Sequence, residues 1–204
     1  MNKKILGITL GAILLIAGIA LIIVGVQEIM SAKQGASLVP KNDLAAAVNE
    51  SQKELVSYEH PATKMKMSYP KNWTLTNDEE GGGVSFSFYG GAVNLRFVSD
   101  DFSKNKDPVT LDEYTQVLMA QGREEAAKQQ VTISPISDGP ATLAGSPGHE
   151  WQYTVTIGDV EGSGMQVWTI KNNRSYVFTY TAAGELFNAF TPVVQKMFTS
   201  IALP

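Results

Sequence analysis

An α+β domain with an antiparallel sheet covered by helices, carried behind one membrane-spanning helix, is the fold that this 204-residue sequence predicts. Three observations carry that expectation. Residues 5–26 are apolar without one charge. From Tyr58 onward the chain breaks into short runs in which apolar and polar residues alternate, the period of a sheet with one buried face. Those runs are interrupted after Val98 and again after Thr181 by stretches of helical period, so the order is strands, helix, meander, helix.

The first element is Ile5–Val26, broken only by glycines and Thr9. At ~1.5 Å rise per residue, a helix of roughly 22 residues spans ~33 Å, matched to a ~30 Å hydrocarbon core. Lys3 and Lys4 precede the run and Gln27 and Glu28 follow it, which orients residues 1–4 to the cytoplasm and everything after the helix to the outside. The competing reading, a cleaved signal peptide, needs an apolar stretch of ~7–15 residues and a small-x-small site. The run is too long, and the best site ends Met30-Ser31-Ala32 with a bulky residue in the first specificity position. An uncleaved anchor follows. Gly7 and Gly11 form a GxxxG pair, and Gly11, Gly18 and Gly25 recur every seven residues, a stripe on which a second helix could pack closely.

Residues 27–57 read as a juxtamembrane linker. Asp43 could cap a short helix through Leu55, but Leu44, Val48 and Leu55 give it a thin apolar stripe. The folded domain is then residues 58–204. Met65, Met67 and Tyr69 make a strand closed by Pro70; Val84, Phe86 and Phe88 make another, and Val93, Leu95 and Phe97 a third, with Gly90-Gly91 turning between the last two. Thr110 and Glu113 have capping-box spacing at the head of a helix to about Lys128, with Leu111, Tyr114, Val117 and Leu118 inward. Strands resume near Val131, at Trp151–Ile157, at Met165–Ile170 and at Tyr176–Thr181, with Gly158–Gly164 and Asn172-Asn173 as turns. A last helix begins near Gly184, and Thr191-Pro192 restarts or kinks it.

Tyr58 with Met67-Ser68-Tyr69-Pro70-Lys71-Asn72-Trp73 resembles the opening of PsbP-like domains. Thr110–Tyr114, Leu143–Tyr153, Tyr176–Tyr180 and Phe198–Ile201 follow in that family's order. The resemblance runs from Tyr58 to Leu203 and implies an α/β/α sandwich around a central antiparallel sheet. It also implies a platform for protein contacts, since the family includes extrinsic lumenal subunits of photosystem II and many exported proteins of unknown role.

Composition narrows the chemistry. A net charge of -4 offers no basic face for nucleic acid. The absence of cysteine excludes disulfides, thiol nucleophiles and thiolate metal sites. Asp101, Ser103, Asn105, Asp107 and Asp112 fall at positions 1, 3, 5, 7 and 12 of a calcium loop. Lys106 stands where that loop needs glycine, however, and Asp112 replaces the long bidentate glutamate, so a solvated loop is expected and these residues remain only candidates for an ion. His60 and His149 are the two imidazoles; a hydrolase would need one beside a serine or carboxylate, and Ala144 breaks a nucleophile elbow around Ser146, so Ser146-Pro147-Gly148 reads more simply as a turn. Asp159, Glu161 and the run Asp78–Glu80 read as wet hairpin tips. Trp151 shares the parity of Tyr153 and Val155 and is expected inside. Trp168 has the opposite parity to Met165 and Val167, so it either lies under a helix on the second sheet face or is exposed as a contact surface. No cofactor is expected. The expectation is a non-enzymatic interaction module serving an unidentified membrane or extracytoplasmic protein, with a binding domain for a small ligand, lipid or cation as the alternative.

Overall fold

The computed structural model describes residues 41–77, 83–158 and 160–204. The apolar run, its glycines Gly7, Gly11, Gly18 and Gly25, the acidic run Asp78–Glu80 and Asp159 lie outside the described residues. Among the described residues, no helix is long and apolar enough to cross a membrane.

The chain forms α1 (Lys41–Lys53), β1 (Leu55–Glu59), β2 (Lys66–Pro70), β3 (Thr74–Asn77), β4 (Val84–Phe88), β5 (Val93–Val98), α2 (Leu111–Lys128), β6 (Thr132–Leu143), β7 (Ser146–Ile157), β8 (Val160–Lys171), β9 (Arg174–Ala183) and α3 (Glu185–Thr199). Strands β3 to β9 make a seven-stranded sheet in the order β3-β4-β5-β9-β8-β7-β6. Every pairing in it is antiparallel. Strands β1 and β2 form a separate antiparallel ribbon.

The two faces of the sheet differ. Phe86, Leu95, Phe97, Phe178 and Tyr180 point to one side and are fully buried. Helix α3 covers them: Tyr180 stacks on Phe187 with ring centres 4.7 Å apart, and Phe178 meets Phe198 edge-on at 5.9 Å. Helix α2 covers part of the other face. Its capping box forms as the spacing predicts, with the Thr110 hydroxyl accepting from the Glu113 N–H and Glu113 accepting from the Thr110 N–H.

Five local expectations are corrected. The linker reading of residues 27–57 fails at its C-terminal end, because α1 is part of the fold. Leu44, Ala47 and Val48 pack against the core. The Ser51 hydroxyl, fully buried, accepts from the Trp73 indole Nε1 at 3.2 Å, and Lys196 Nζ donates to Gln52 at 2.7 Å. The expected boundary at Tyr58 therefore falls inside β1. The turn expected over Gly158–Gly164 is shorter: Gly158 turns, at φ 56°, but Ile157 pairs with Val160, and β8 starts there. Gly164 lies in the strand because the Tyr153 ring crosses over it, 2.5 Å from where a Cβ would stand. Ser146-Pro147-Gly148 is likewise strand; the turn is Ala144-Gly145, both at positive φ. A Cβ on Gly148 would sit 2.5 Å from the Trp168 carbonyl oxygen. The restart at Thr191-Pro192 does not occur, since α3 runs unbroken with Pro192 inside it and Phe187, Phe190, Val193, Val194 and Met197 buried on both sides of the proline. Asn172-Asn173 do turn as expected, at φ 52° and 55°, the left-handed pair that a two-residue hairpin needs.

Two stability measurements follow. Ser51→Ala strands a buried indole N–H, and urea denaturation should show a loss of about 1–2 kcal/mol; an unchanged midpoint would return α1 to the status of a spacer. Gly148→Ala drives a Cβ into backbone and should cost about 3 kcal/mol. Gly139→Ala, which meets open space, should stay within about 0.5 kcal/mol.

Candidate functional site

The face under α2 is where polar side chains gather. Cross-strand register puts Asp138, Trp151, Gln166, Thr179, Arg96 and Ser85 in one row across the sheet. The next row on the same face holds Tyr153, Gly164, Thr181, Asn94 and Ser87. The side of the face is fixed by Trp168, two residues from Gln166, whose Nε1 donates to Thr115 of α2 at 2.9 Å. Arg96, Gln166 and Thr179 are each at most 5% exposed, and Gln166 Nε2 donates to Thr179 Oγ1 at 3.2 Å. The other end of that amide, Gln166 Oε1, is buried without a hydrogen-bond partner, as are Trp151 Nε1, the Tyr153 hydroxyl, Asn94 Oδ1 and, from α2 above, Gln121 Oε1.

A second cluster lies at the head of α2. Asp100 is 5% exposed. Its Oδ2 accepts from the Tyr114 hydroxyl at 3.3 Å and from the Ser175 hydroxyl at 3.4 Å, while Oδ1 is buried and unpartnered. Burial pushes its carboxyl up to about 6, against the smaller opposing pull of the two hydroxyls and of Arg174. Tyr114 is pushed up by burial and by the Asp100 charge. The neighbouring Asp101 goes the other way, held below the ordinary carboxylate range by hydrogen bonds from Ser103, with Arg174 and Lys104 adding to the effect.

The residues singled out from sequence fall as follows. Asp101 pairs with Arg174 and accepts from the Ser103 N–H at 2.8 Å. Asp112 belongs to the first turn of α2, where its charge meets the helix dipole. Asn105 and Asp107 belong to the connecting loop, and no group of three or more His, Asp or Glu among the described residues is placed to hold a metal ion. His60 is 4% exposed, its Nδ1 engaged by Thr63. His149 does sit beside a carboxylate, since its Nε2 bonds Asp138, and its ring stacks on Trp168 at 4.8 Å. Ser146 stands three positions away in the same strand, hence on the opposite face and ~10 Å along it, so it cannot serve that imidazole as nucleophile. Trp168 is fully buried under α2, which rules out its use as a contact surface. A groove of about 480 Å³ lies elsewhere, beside the β1–β2 ribbon, with Tyr58, Lys66 and Ser200 among its walls.

Gln166, Arg96, Asn94 and Thr179 were not singled out from sequence. Each occupies the polar parity of an alternating strand, which reads as solvent-facing when only one face is taken as buried. The usable signal was that β8 carries Trp168, an aromatic residue, on the same parity as Gln166.

A family model described as PsbP-like protein matches residues 12–198. The chain belongs to the PsbP-like family. The solution structure of cyanobacterial PsbP (CyanoP) from Synechocystis sp. PCC 6803 shares the fold of this PsbP-like chain at a TM-score of 0.57 and 14% identity, over 76% of this chain and 94% of that one. The Ran-binding protein Mog1p of Saccharomyces cerevisiae superposes at 0.52 with 7% identity, over 74% and 95%. No curated protein sequence matches the chain. In this PsbP-like chain the family-like segments are structural: Tyr69 packs on Phe86 at 4.8 Å, Trp73 is buried, and Thr110 caps α2.

Asp100 gives a pH signature. Its folded pKa of about 6 exceeds the unfolded value near 3.8, so its contribution to stability is complete below pH ~4 and is lost as pH rises through ~6, about 3 kcal/mol in all. Asp100→Asn should remove that fall, so that wild type minus variant stability drops between pH 4.5 and 7.5 in chemical denaturation. A constant difference across that range would show that Asp100 titrates normally.

Proposed function

We propose that this PsbP-like protein is a non-enzymatic interaction module, tethered by residues 5–26 with its folded domain on the outer side of a membrane, where it supports a larger protein assembly. The observation that carries the reading is the edge strand β6. It closes one end of the large sheet, has eight of its twelve residues exposed, and presents Ile136, 60% exposed, at a bulge between Pro135 and Ser137.

 Of those twelve residues Leu143 alone is buried. An exposed β-branched side chain thrown outward by a bulge offers a partner an apolar anchor at a free sheet edge. The fold shared with a Ran-binding protein supports a contact role for the scaffold and says nothing of the partner here. The alternative, a small-ligand domain, is favoured by the unpartnered polar atoms beneath α2.

Photo-crosslinking tests the reading. A benzoylphenylalanine in place of Ile136, in the full-length protein in native membranes, should give one discrete adduct. The same probe at Lys71, which lies in the turn after β2, should give none. A smear from both positions, or no adduct from either, overturns the β6 contact. Removing Met1–Ala36 should release the protein from the membrane fraction, and retention without that segment overturns the tether.

A further inference from the structure

The chain between β5 and α2, residues 99–110, belongs to no strand or helix and is held down by polar contacts with the β8–β9 hairpin. Asn173, in the turn of that hairpin, clasps it at two places. Its carbonyl accepts from the Phe102 N–H at 2.9 Å, and its Nδ2 donates to the Phe102 carbonyl at 2.6 Å. Its Oδ1 accepts from the Val109 N–H at 3.4 Å. Nearer β5, Ser99 Oγ donates to the Ser175 carbonyl at 2.7 Å, and the Ser175 hydroxyl accepts from the Asp100 N–H at 2.9 Å. Asp101 and Arg174 pair on the outside. Between Asp101 and Thr110 only Phe102 and Val109 are buried, so little apolar contact holds this connection closed.

Beneath the connection lies Asp100, in the geometry of an uncharged carboxyl. A hydroxyl donating to a carboxylate normally approaches to roughly 2.5–2.7 Å. Here Tyr114 and Ser175 reach Oδ2 at 3.3 and 3.4 Å, and Oδ1 has no partner. Nor does a cation pair with it. Arg174 on β9 is engaged by Asp101, and Lys171, opposite Arg174 on β8, donates to the Leu203 carbonyl. From α2 the facing group is Tyr114, kept neutral by burial and by the Asp100 charge, while Glu113 is turned to the Thr110 cap. We propose that Asp100 is the catch of a pH-dependent latch: residues 99–110 close on the β8–β9 hairpin while its carboxyl is neutral, and lift from it when the carboxyl ionises, uncovering Phe102 and the head of α2. A buried carboxylate without water or a cation is costly, and this connection is the cover most easily moved, because no ladder and no helical turn breaks with it. With the carboxyl at about 6 when closed and near 3.8 when exposed, the closed form is favoured at acid pH and loses ground as pH rises through ~6. Opening is then about 25-fold easier at pH 7.5 than at pH 4.5. The latch is independent of the β6 edge and of the membrane tether.

Amide hydrogen exchange on the full-length protein in detergent micelles, corrected for the intrinsic effect of pH on exchange, reads the latch at the Phe102 and Val109 N–H groups. Both should be less protected than the amides of the β5–β9 ladder and insensitive to low urea, the mark of an opening smaller than global unfolding. Their protection should fall about 25-fold between pH 4.5 and 7.5 in the wild type and stay level in Asp100→Asn. Asn173→Gly keeps the left-handed turn and removes the side-chain clasp. It should lower protection at Phe102, whose bond to the backbone carbonyl it spares, already at pH 4.5 and with the ladder still protected. Phe102 and Val109 amides that match the ladder in protection and in urea dependence overturn the latch, since the pH effect is then global. Local exchange that ignores pH, or that keeps its pH dependence in Asp100→Asn, overturns Asp100 as the catch. An unchanged Phe102 amide in Asn173→Gly overturns the clasp.

Discussion

Strand β9 has a hairpin partner, β8, on one side and on the other a strand from the first half of the domain, β5. The remaining neighbours in the large sheet are consecutive in sequence, so the β5–β9 ladder alone joins β3–β4–β5 to the β6–β9 meander. Both layers above and below depend on that ladder. It sets Phe97 against Phe178 and Leu95 against Tyr180 for α3 to cover, and by the same register it sets Arg96 against Thr179 and Val98 against Val177 on the α2 side. A slip of one residue would exchange the two faces throughout.

The exchange would be ruinous because the faces are chemically unlike. Under α3 the sheet is an aromatic and aliphatic layer whose rings interlock with Phe187, Phe190 and Phe198. Under α2 the buried rings and aliphatic groups of Trp168, Trp151, Tyr153, Val155 and Val177 share the face with the amide of Gln166, the hydroxyl of Thr179 and the guanidinium of Arg96. Polar groups in such a layer stabilise a fold only when they are satisfied, as where Gln166 Nε2 donates to Thr179 at 3.2 Å.

Much of the architecture was legible in the sequence because it rests on local rules. The period-two runs, the capping box at Thr110 and the left-handed pair Asn172-Asn173 each act within a few residues, and each appears where its chemistry requires. What escaped detection was set by partners distant in sequence. Gly148 and Gly164 look like turn residues, yet each is a glycine because something from the neighbouring strand occupies the place of its side chain. Helix α1 has little apolar stripe of its own and is held by Ser51 and by contact with α3. The polar layer was missed for the same reason, since alternation in one strand does not say whether a helix will cover its hydrophilic side.

The edge strand β6 carries a constraint of another kind. An open sheet edge invites any extended chain to add itself, including a second copy of the same protein. Pro135 and Pro140 bring no N–H to that edge, and the bulge at Ile136 breaks the even spacing that an added strand would need to follow. The edge is thereby closed to indiscriminate fibre-like growth while one side chain stays available for recognition. Solubility and selectivity at that rim are products of the same three residues.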